Sequence, residues 1–284
     1  MPYGPCDPRE RRGRAAKAGT GPLAGPLPDI VIASGRKTVP YLRAFKKMSG
    51  KRPFTVFLKD PRTGPDSADF IWAPRHDRIS GPNVMKTLTS PHRVTPEALA
   101  AARADLRADL ACLKPPRIAV LVGGDSRHHT FTPGDIDRFL RGLLEVLQSG
   151  VSLMITTSRR TPEALLTALS LLREYDDVFV WDGLGENPYI AMLAIADGVI
   201  TTADSVNMVG EAAAIGKPIH IFRPSGGHPR ITHFLDGLFD LGIATEFDGR
   251  LEIGDRPPLD STPQIAAEIA KRFETWRSRR CGHS

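Results

Sequence analysis

Residues 201–222 read TTADSVNMVGEAAAIGKPIHIF and combine groups that suit an oxygen-rich ligand. At 100° per residue, Asp204, Asn207 and Glu211 fall on one stripe of a helix, with Val206, Val209 and Ala213 opposite. Asp204 or Ser205 caps this helix, and Gly216-Lys217-Pro218 stops it. Its polar face therefore offers a hydroxyl, an amide and a carboxylate, starting at the positive N-terminus. A solvated helix face is the plain alternative. Against it, a helix that starts at a strand end borders the ligand crevice, where Glu211 can accept hydrogen bonds from the two hydroxyls of a ribose or another sugar.

Three other stretches suit the same chemistry. VLVGGDSRHHTFT, residues 120–132, places Gly123 and Gly124 after a buried strand. Glycines let backbone N–H groups approach an oxyanion, and Ser126, Arg127 and His128 add hydrogen bonds and charge. A tight strand-to-helix turn is the competing reading, and the spacing is neither GxGxxG nor a P-loop. TTSRRTPEA, residues 156–164, joins Ser158 and Arg159 to a helix start, which suits either phosphate or simple capping by Thr161. In VWDGLGENPYIAML, Trp181 carries a flat base or packs in the core, and Asn187 caps a helix. No Ser-His-Asp, Cys-His or metal-ligand spacing is present. His76, Asp77 and His92, at strand ends in the first half, are the candidate general bases, each with a structural loop role as its alternative.

The elements that position these residues follow from the hydrophobic pattern. DIVIAS, FTVFLK, ADFIWA and VMKTLT read as strands, with an amphipathic helix from Thr38 to Gly50. TPEALAAARADLRADLACL reads as one long helix. After Lys114-Pro115-Pro116, near-continuous apolar strands alternate with helices: RIAVLV, VSLMITT, VFVW, GVITT and PIHIF. That alternation implies parallel sheets covered on both faces. Ligands of such sheets bind beyond the carboxyl ends of the strands. In the first half those positions hold Ser34, Gly35, Arg36, Asp60, Arg62, His76, Asp77 and His92. The expected organisation is a disordered segment 1–28, an N-terminal domain 29–114, a C-terminal domain 115–260 and a helix with tail, 261–284.

Composition bounds the function classes. The chain is 41% hydrophobic and 25% charged, with no apolar run long enough to span a membrane. A formal charge of +6 favours anionic ligands and leaves peripheral membrane contact open. A nucleic-acid reading rests on that charge alone and lacks interleaved aromatics. The odd set Cys6, Cys112 and Cys281, without a signal peptide, points to a reducing cytoplasmic setting.

Together, PDIVIASGRKTVPYLRAFKK, FTVFLKDPRTG, FIWAPRHDRISGPNV, VLVGGDSRHHTFT, TTSRRTP, GENPYIAMLAIAD and TADSVNMVGEAAAIGKPIHIF closely resemble a bacterial family named after a plant mitochondrial-fission (elongated-mitochondria) protein. The resemblance spans about residues 29–270. That family is similar to glycosyltransferases of the GT-B type, which implies two Rossmann-like α/β domains with parallel sheets facing across a cleft. It also implies a nucleoside-diphosphate sugar in the C-terminal domain, bound without metal or other cofactor. Diphosphate contact then falls to Gly124, Asp125 and Ser126, with Ser205 and Val206 at the helix N-terminus, and ribose contact to Glu211. Asn207 and Met208 complete that group, and Gly123, Arg127, Ser158, Arg159, Trp181, Asn187 and Asp204 flank it. Ser34, Gly35, Arg36, Arg62 and His92 would face an acceptor of unknown identity, with His76, Asp77 or Asp60 as base. Some members carry an epimerase label, but this sequence lacks GxGxxG and a Tyr-x-x-x-Lys pair. Members usually open with an apolar strand and a DG-x-x-GH loop. Here MPYGPCDPRERRGRAAKAGTGPLAGPLPD stands instead, so the first βα unit is expected to be missing. A non-catalytic adaptor is the rival reading.

Overall fold

A computed structural model describes residues 26–48 and 52–281. The expected disorder of 1–28 therefore lies outside the described residues up to position 25, as do Cys6 and the helix end at Gly50.

The chain divides into two compact units, one of the described residues up to Thr87 with those from Pro263, the other Leu88–Thr262. In the first, β1 (Ile30–Ala33), α1 (Val39–Lys46), β2 (Phe54–Leu58), β3 (Phe70–Pro74) and β4 (Val84–Thr87) follow in order. The four strands lie side by side in chain order, all parallel. Val39 and Leu42 of α1 bury against Phe57 and Ile71 on one face.

The second unit opens with α2 (Pro96–Ala104) and α3 (Ala108–Ala111), where the sequence suggests one long helix. Arg107 leaves helical geometry with ψ 141°. The break lets Leu110 and Leu113 bury together with Leu99 and Val94 against Met192 and Leu193. That packing places 88–114, assigned above to the N-terminal domain, in the second unit. Next come β5 (Arg117–Val122), β6 (His129–Thr130), α4 (Pro133–Gln148), β7 (Ser152–Thr157), α5 (Glu163–Ser170) and β8 (Val178–Val180). They are followed by α6 (Tyr189–Ile195), β9 (Gly198–Thr202), α7 (Val206–Ala213) and β10 (Ile219–Phe222). Then β11 (Ser225–Gly226), α8 (Pro229–Asp240) and β12 (Ala244–Glu246) complete the unit; α8 and β12 have no counterpart in the sequence reading. Six strands form a parallel sheet in the order β12-β10-β9-β5-β7-β8. Phe139 and Leu143 of α4 and Leu165 of α5 cover one face, and Val209 of α7 with Phe234 and Leu238 of α8 cover the other.

The last helix, α9 (Thr262–Cys281), returns to the first unit. Its Ile265, Ile269, Phe273 and Trp276 pack on Phe54, Val56, Phe70 and Trp72, the sheet face opposite α1. Arg52 grips Asp69 with both guanidinium nitrogens, at 2.7 and 3.0 Å, and lies over the Trp276 ring. Among the described residues, no helix is long and apolar enough to cross a membrane.

Candidate functional site

In the second sheet the chain runs outward from β5 to β7 and β8, then returns to β9 on the other side of β5. Strand order therefore reverses between β5 and β9, the switch point beyond whose carboxyl ends open α/β sheets bind their ligands. Gly123-Gly124 follows β5 and Ala203-Asp204-Ser205 follows β9, so the topology brings together the two stretches singled out by residue type.

Their contact is closer than a shared crevice requires. The Asp204 side chain is fully buried and accepts from Gly124 N–H at 3.0 Å, Thr202 Oγ1–H at 2.6 Å and Arg160 Nη2 at 2.7 Å. Arg160 also donates from Nη1 to the carbonyls of Gly124 and Asp125, both at 3.0 Å. Gly123 N–H donates to Thr202 Oγ1, Asp125 N–H to Arg160 O and Ser126 N–H to His129 O. The glycines here answer a steric need. A Cβ on Gly123 would overlap the Asp204 carboxylate, and one on Gly124 would overlap the Arg160 carbonyl. All four N–H groups from Gly123 to Ser126 thus donate within the chain.

The 158–161 loop holds itself. Thr161 Oγ1 accepts from Ser158 N–H and donates to Gly123 O, while Ser158 Oγ accepts from Arg160 N–H. Arg159 is exposed. The arginine that reaches the glycine loop is its neighbour, which the sequence reading did not select. The motif held the signal, but only the turn decides which guanidinium points inward.

Ser205 caps α7 by accepting from Met208 N–H at 3.4 Å. Val206 and Met208 are half-buried and Asn207 is exposed, so the stripe 204/207/211 is not uniform: Asp204 is buried and Glu211 half-buried. Glu211 Oε2 accepts from the Tyr189 hydroxyl at 2.7 Å. Burial, with the adjacent Glu211 carboxylate, pushes the Tyr189 phenol well above its usual value. Tyr189 was not selected from sequence, since its partner lies 22 residues away. Asn187 Oδ1 accepts from Tyr189 N–H at 3.0 Å, a local turn just before α6, whose N-cap is Pro188 rather than Asn187. Trp181 lies outside the core clusters and donates to Leu184 O in an exposed loop.

Beside the glycine loop, Ser126 Oγ accepts from the N–H groups of His128 and His129, and Asp125 Oδ1 accepts from Phe131 N–H. Arg127 Nε donates to His128 Nε2 at 3.0 Å. The β6–β11 ribbon lays the 223–228 loop against this segment. Asp135 of α4 fastens that loop by accepting from Ser225 N–H at 3.0 Å. Burial alone would raise the Asp135 carboxyl, but hydrogen bonds from Ser225 and Thr132 prevail and hold it at about 2.

The first unit carries its own candidates at the carboxyl ends of its strands. Ser34, Gly35 and Arg36 are exposed after β1, with Thr38 donating to the Ser34 and Gly35 carbonyls. Asp60 Oδ1 accepts from Arg62 N–H at 2.8 Å, and Arg62 sits at φ 62°. Asp77 is buried after β3, and Lys86 donates to its carbonyl at 2.6 Å. His76 beside it is half-buried. His92 belongs to the second unit, where its Nε2 lies 3.2 Å from Asp260 with the ring almost wholly buried. The assignment of His92 to the acceptor-side set does not match that placement.

The M. jannaschii (Methanocaldococcus jannaschii) UDP-GlcNAc 2-epimerase superposes with a TM-score of 0.54 at 12% identity, covering 86% of this chain and 77% of that one. A structure of the same enzyme in complex with UDP-GlcNAc and UDP gives 0.50 at 11% identity, covering 86% and 76%. At such identity the likeness shows the fold alone, an α/β fold of the GT-B type with parallel sheets. The mitochondrial fission protein ELM1 of Arabidopsis thaliana is 26% identical over 276 residues, 88% of this chain. The chain spans 64% of that relative's length. Residues 2–273 match the family model described as Mitochondrial fission ELM1. This chain belongs to the mitochondrial fission ELM1 family.

Proposed function

We propose that the second unit binds a nucleoside-diphosphate sugar beyond β5 and β9, with Glu211 accepting from the ribose hydroxyls. The observation that carries this reading is the meeting, at the strand-order switch point, of the glycine loop, the α7 N-terminus and a carboxylate oriented by Tyr189. The diphosphate then lies near Ser126, Arg127 and the start of α7, with Arg160 in place of a cation. The structural likeness to UDP-GlcNAc 2-epimerase supports the ligand class. Glycosyl transfer without a metal is the activity we attach to it. Calorimetry with UDP and UDP-GlcNAc tests the binding step. Glu211→Ala should weaken binding by about 1.5–3 kcal/mol, the range for a hydrogen bond to a charged group. EDTA should leave the affinity unchanged.

An adaptor role is the second reading. It is favoured by the saturation of the glycine loop, whose N–H groups all have acceptors within the chain, and by the buried Asp204 carboxylate beside it. Absence of binding across a panel of nucleoside diphosphates and their sugars would establish it over the first.

A further inference from the structure

Three histidines meet where the loops after β5 and β10 are zipped together. His129 pairs with Gly226 across the β6–β11 ribbon, and Gly227 N–H donates to His128 O at 2.7 Å. The His128 and His228 rings lie 4.3 Å apart, tilted by 43°. His228 also caps the twelve-residue α8, its Nδ1 accepting from Arg230 N–H at 3.2 Å. His129 is 4% exposed, and its Nδ1 is buried without a hydrogen-bond partner. A buried polar atom left without a partner is costly, so the cluster is not at its most favourable as it stands. Among the described residues, no group of three or more His, Cys, Asp or Glu side chains converges as a metal site.

The surroundings favour negative charge. His128 faces Arg127, His129 and His228, and His129 faces Asp204, Arg160 and His228. Asp204 is the one anion among these, and it is paired with Arg160 while Gly124 N–H and Thr202 Oγ1–H also donate to it. His128 accepts from Arg127 at Nε2, and His228 accepts at Nδ1, so both rings are neutral in this arrangement. Burial, followed by the neighbouring histidine and Arg127, holds His128 below the usual histidine value. Burial does the same for His129, against an opposing pull from Asp204. A second negative group between these loops would reverse that balance, because an opposite charge within a few ångströms favours the imidazolium.

We propose that His128, His129 and His228, with Arg127 and Arg160, form a proton-coupled anion site that takes a phosphate or pyrophosphate group and binds a proton with it. The position rests on the histidine geometry. The assignment of the anion to a nucleoside diphosphate rests on the function proposed above.

Sulfate is a suitable probe for the full-length chain, because its charge stays constant while the histidines titrate. Calorimetry should find sulfate bound several-fold tighter near pH 6 than near pH 8, since one pKa unit of coupling gives a tenfold gain only when fully expressed below the free histidine value. The heat near pH 6 should vary with the buffer's ionisation enthalpy, which reports proton uptake. His228→Asn, at a half-buried position, should remove the pH dependence; His128→Asn serves if that variant does not fold. Equal affinity at both pH values, or no proton uptake, overturns the proposal. UDP separates the two ideas. Proton-coupled sulfate binding with no UDP binding sustains the anion site and removes the nucleotide reading. UDP binding without pH dependence or proton uptake does the reverse.

Discussion

Glu211 accepts from the Tyr189 hydroxyl through one carboxylate oxygen, Oε2, at 2.7 Å. The Tyr189 backbone is tied at the start of α6, where its N–H donates to Asn187 Oδ1. Tyr189→Phe removes the hydroxyl and little volume. Unfolding in urea should show a loss of about 1–2 kcal/mol, for a hydrogen bond to a charged group that is only half-buried. UDP affinity should fall several-fold because the carboxylate loses its orientation; unchanged affinity would show that Glu211 needs no such help. The glycines invite a different test. Gly124→Ala drives a methyl group into the Arg160 carbonyl, which is backbone and cannot swing away. A stability loss of about 1–3 kcal/mol is expected, typical of overpacking.

At the scale of elements, the central strands of the second sheet were legible because each is rich in apolar residues. β5, β7, β9 and β10 appear where RIAVLV, VSLMITT, GVITT and PIHIF predicted them. The α7 cap was legible to within one residue, since Ser205 is one of two adjacent candidates with Asp204, and the helix ends at Ala213, shortly before Gly216-Lys217-Pro218. What the sequence hides is long-range. β12 has only three residues, two of them exposed, and exists through its pairing with β10. The break between α2 and α3 follows from where Leu110 and Leu113 must bury, which no helical period reveals. The choice between Arg159 and Arg160 depends on a turn closed by Ser158 and Thr161. That choice carries a prediction. Arg160→Ala strips a charge partner from a buried carboxylate while two other donors remain. Its cost should be about 2–3 kcal/mol, below that of a fully buried pair because Arg160 is itself 43% exposed. Arg159→Ala should stay within about 0.5 kcal/mol. Equal effects in denaturant melts would mean that the inward guanidinium does not tie the two loops.

Across the whole molecule, stability should respond to acid in two steps. His129 and His220 are buried and held below the usual histidine value of 6.5, chiefly by burial. Unfolding frees them to take up protons, so stability is full above that value and falls as pH drops below it. The carboxylates act lower. Asp69 and Asp135 are held below the usual 3.8, Asp135 at about 2, because hydrogen bonds from Arg52, Thr55, Ser225 and Thr132 outweigh burial. Their contribution is present above that range and lost as pH falls toward 2. The two units should also open unequally. β1 has four residues, pairs on one side only among the described residues, and leaves Ile32 57% exposed. β5 and β9 pair on both sides, and from Ile118 to Val122 and Gly198 to Thr202 every residue is buried. Local opening needs little free energy where few apolar contacts are lost and approaches the global value in a central strand. Hydrogen exchange should therefore be early at residues 30–33 and latest at 118–122 and 198–202. Equal protection in the two sheets would show that the first unit opens only when the whole chain unfolds.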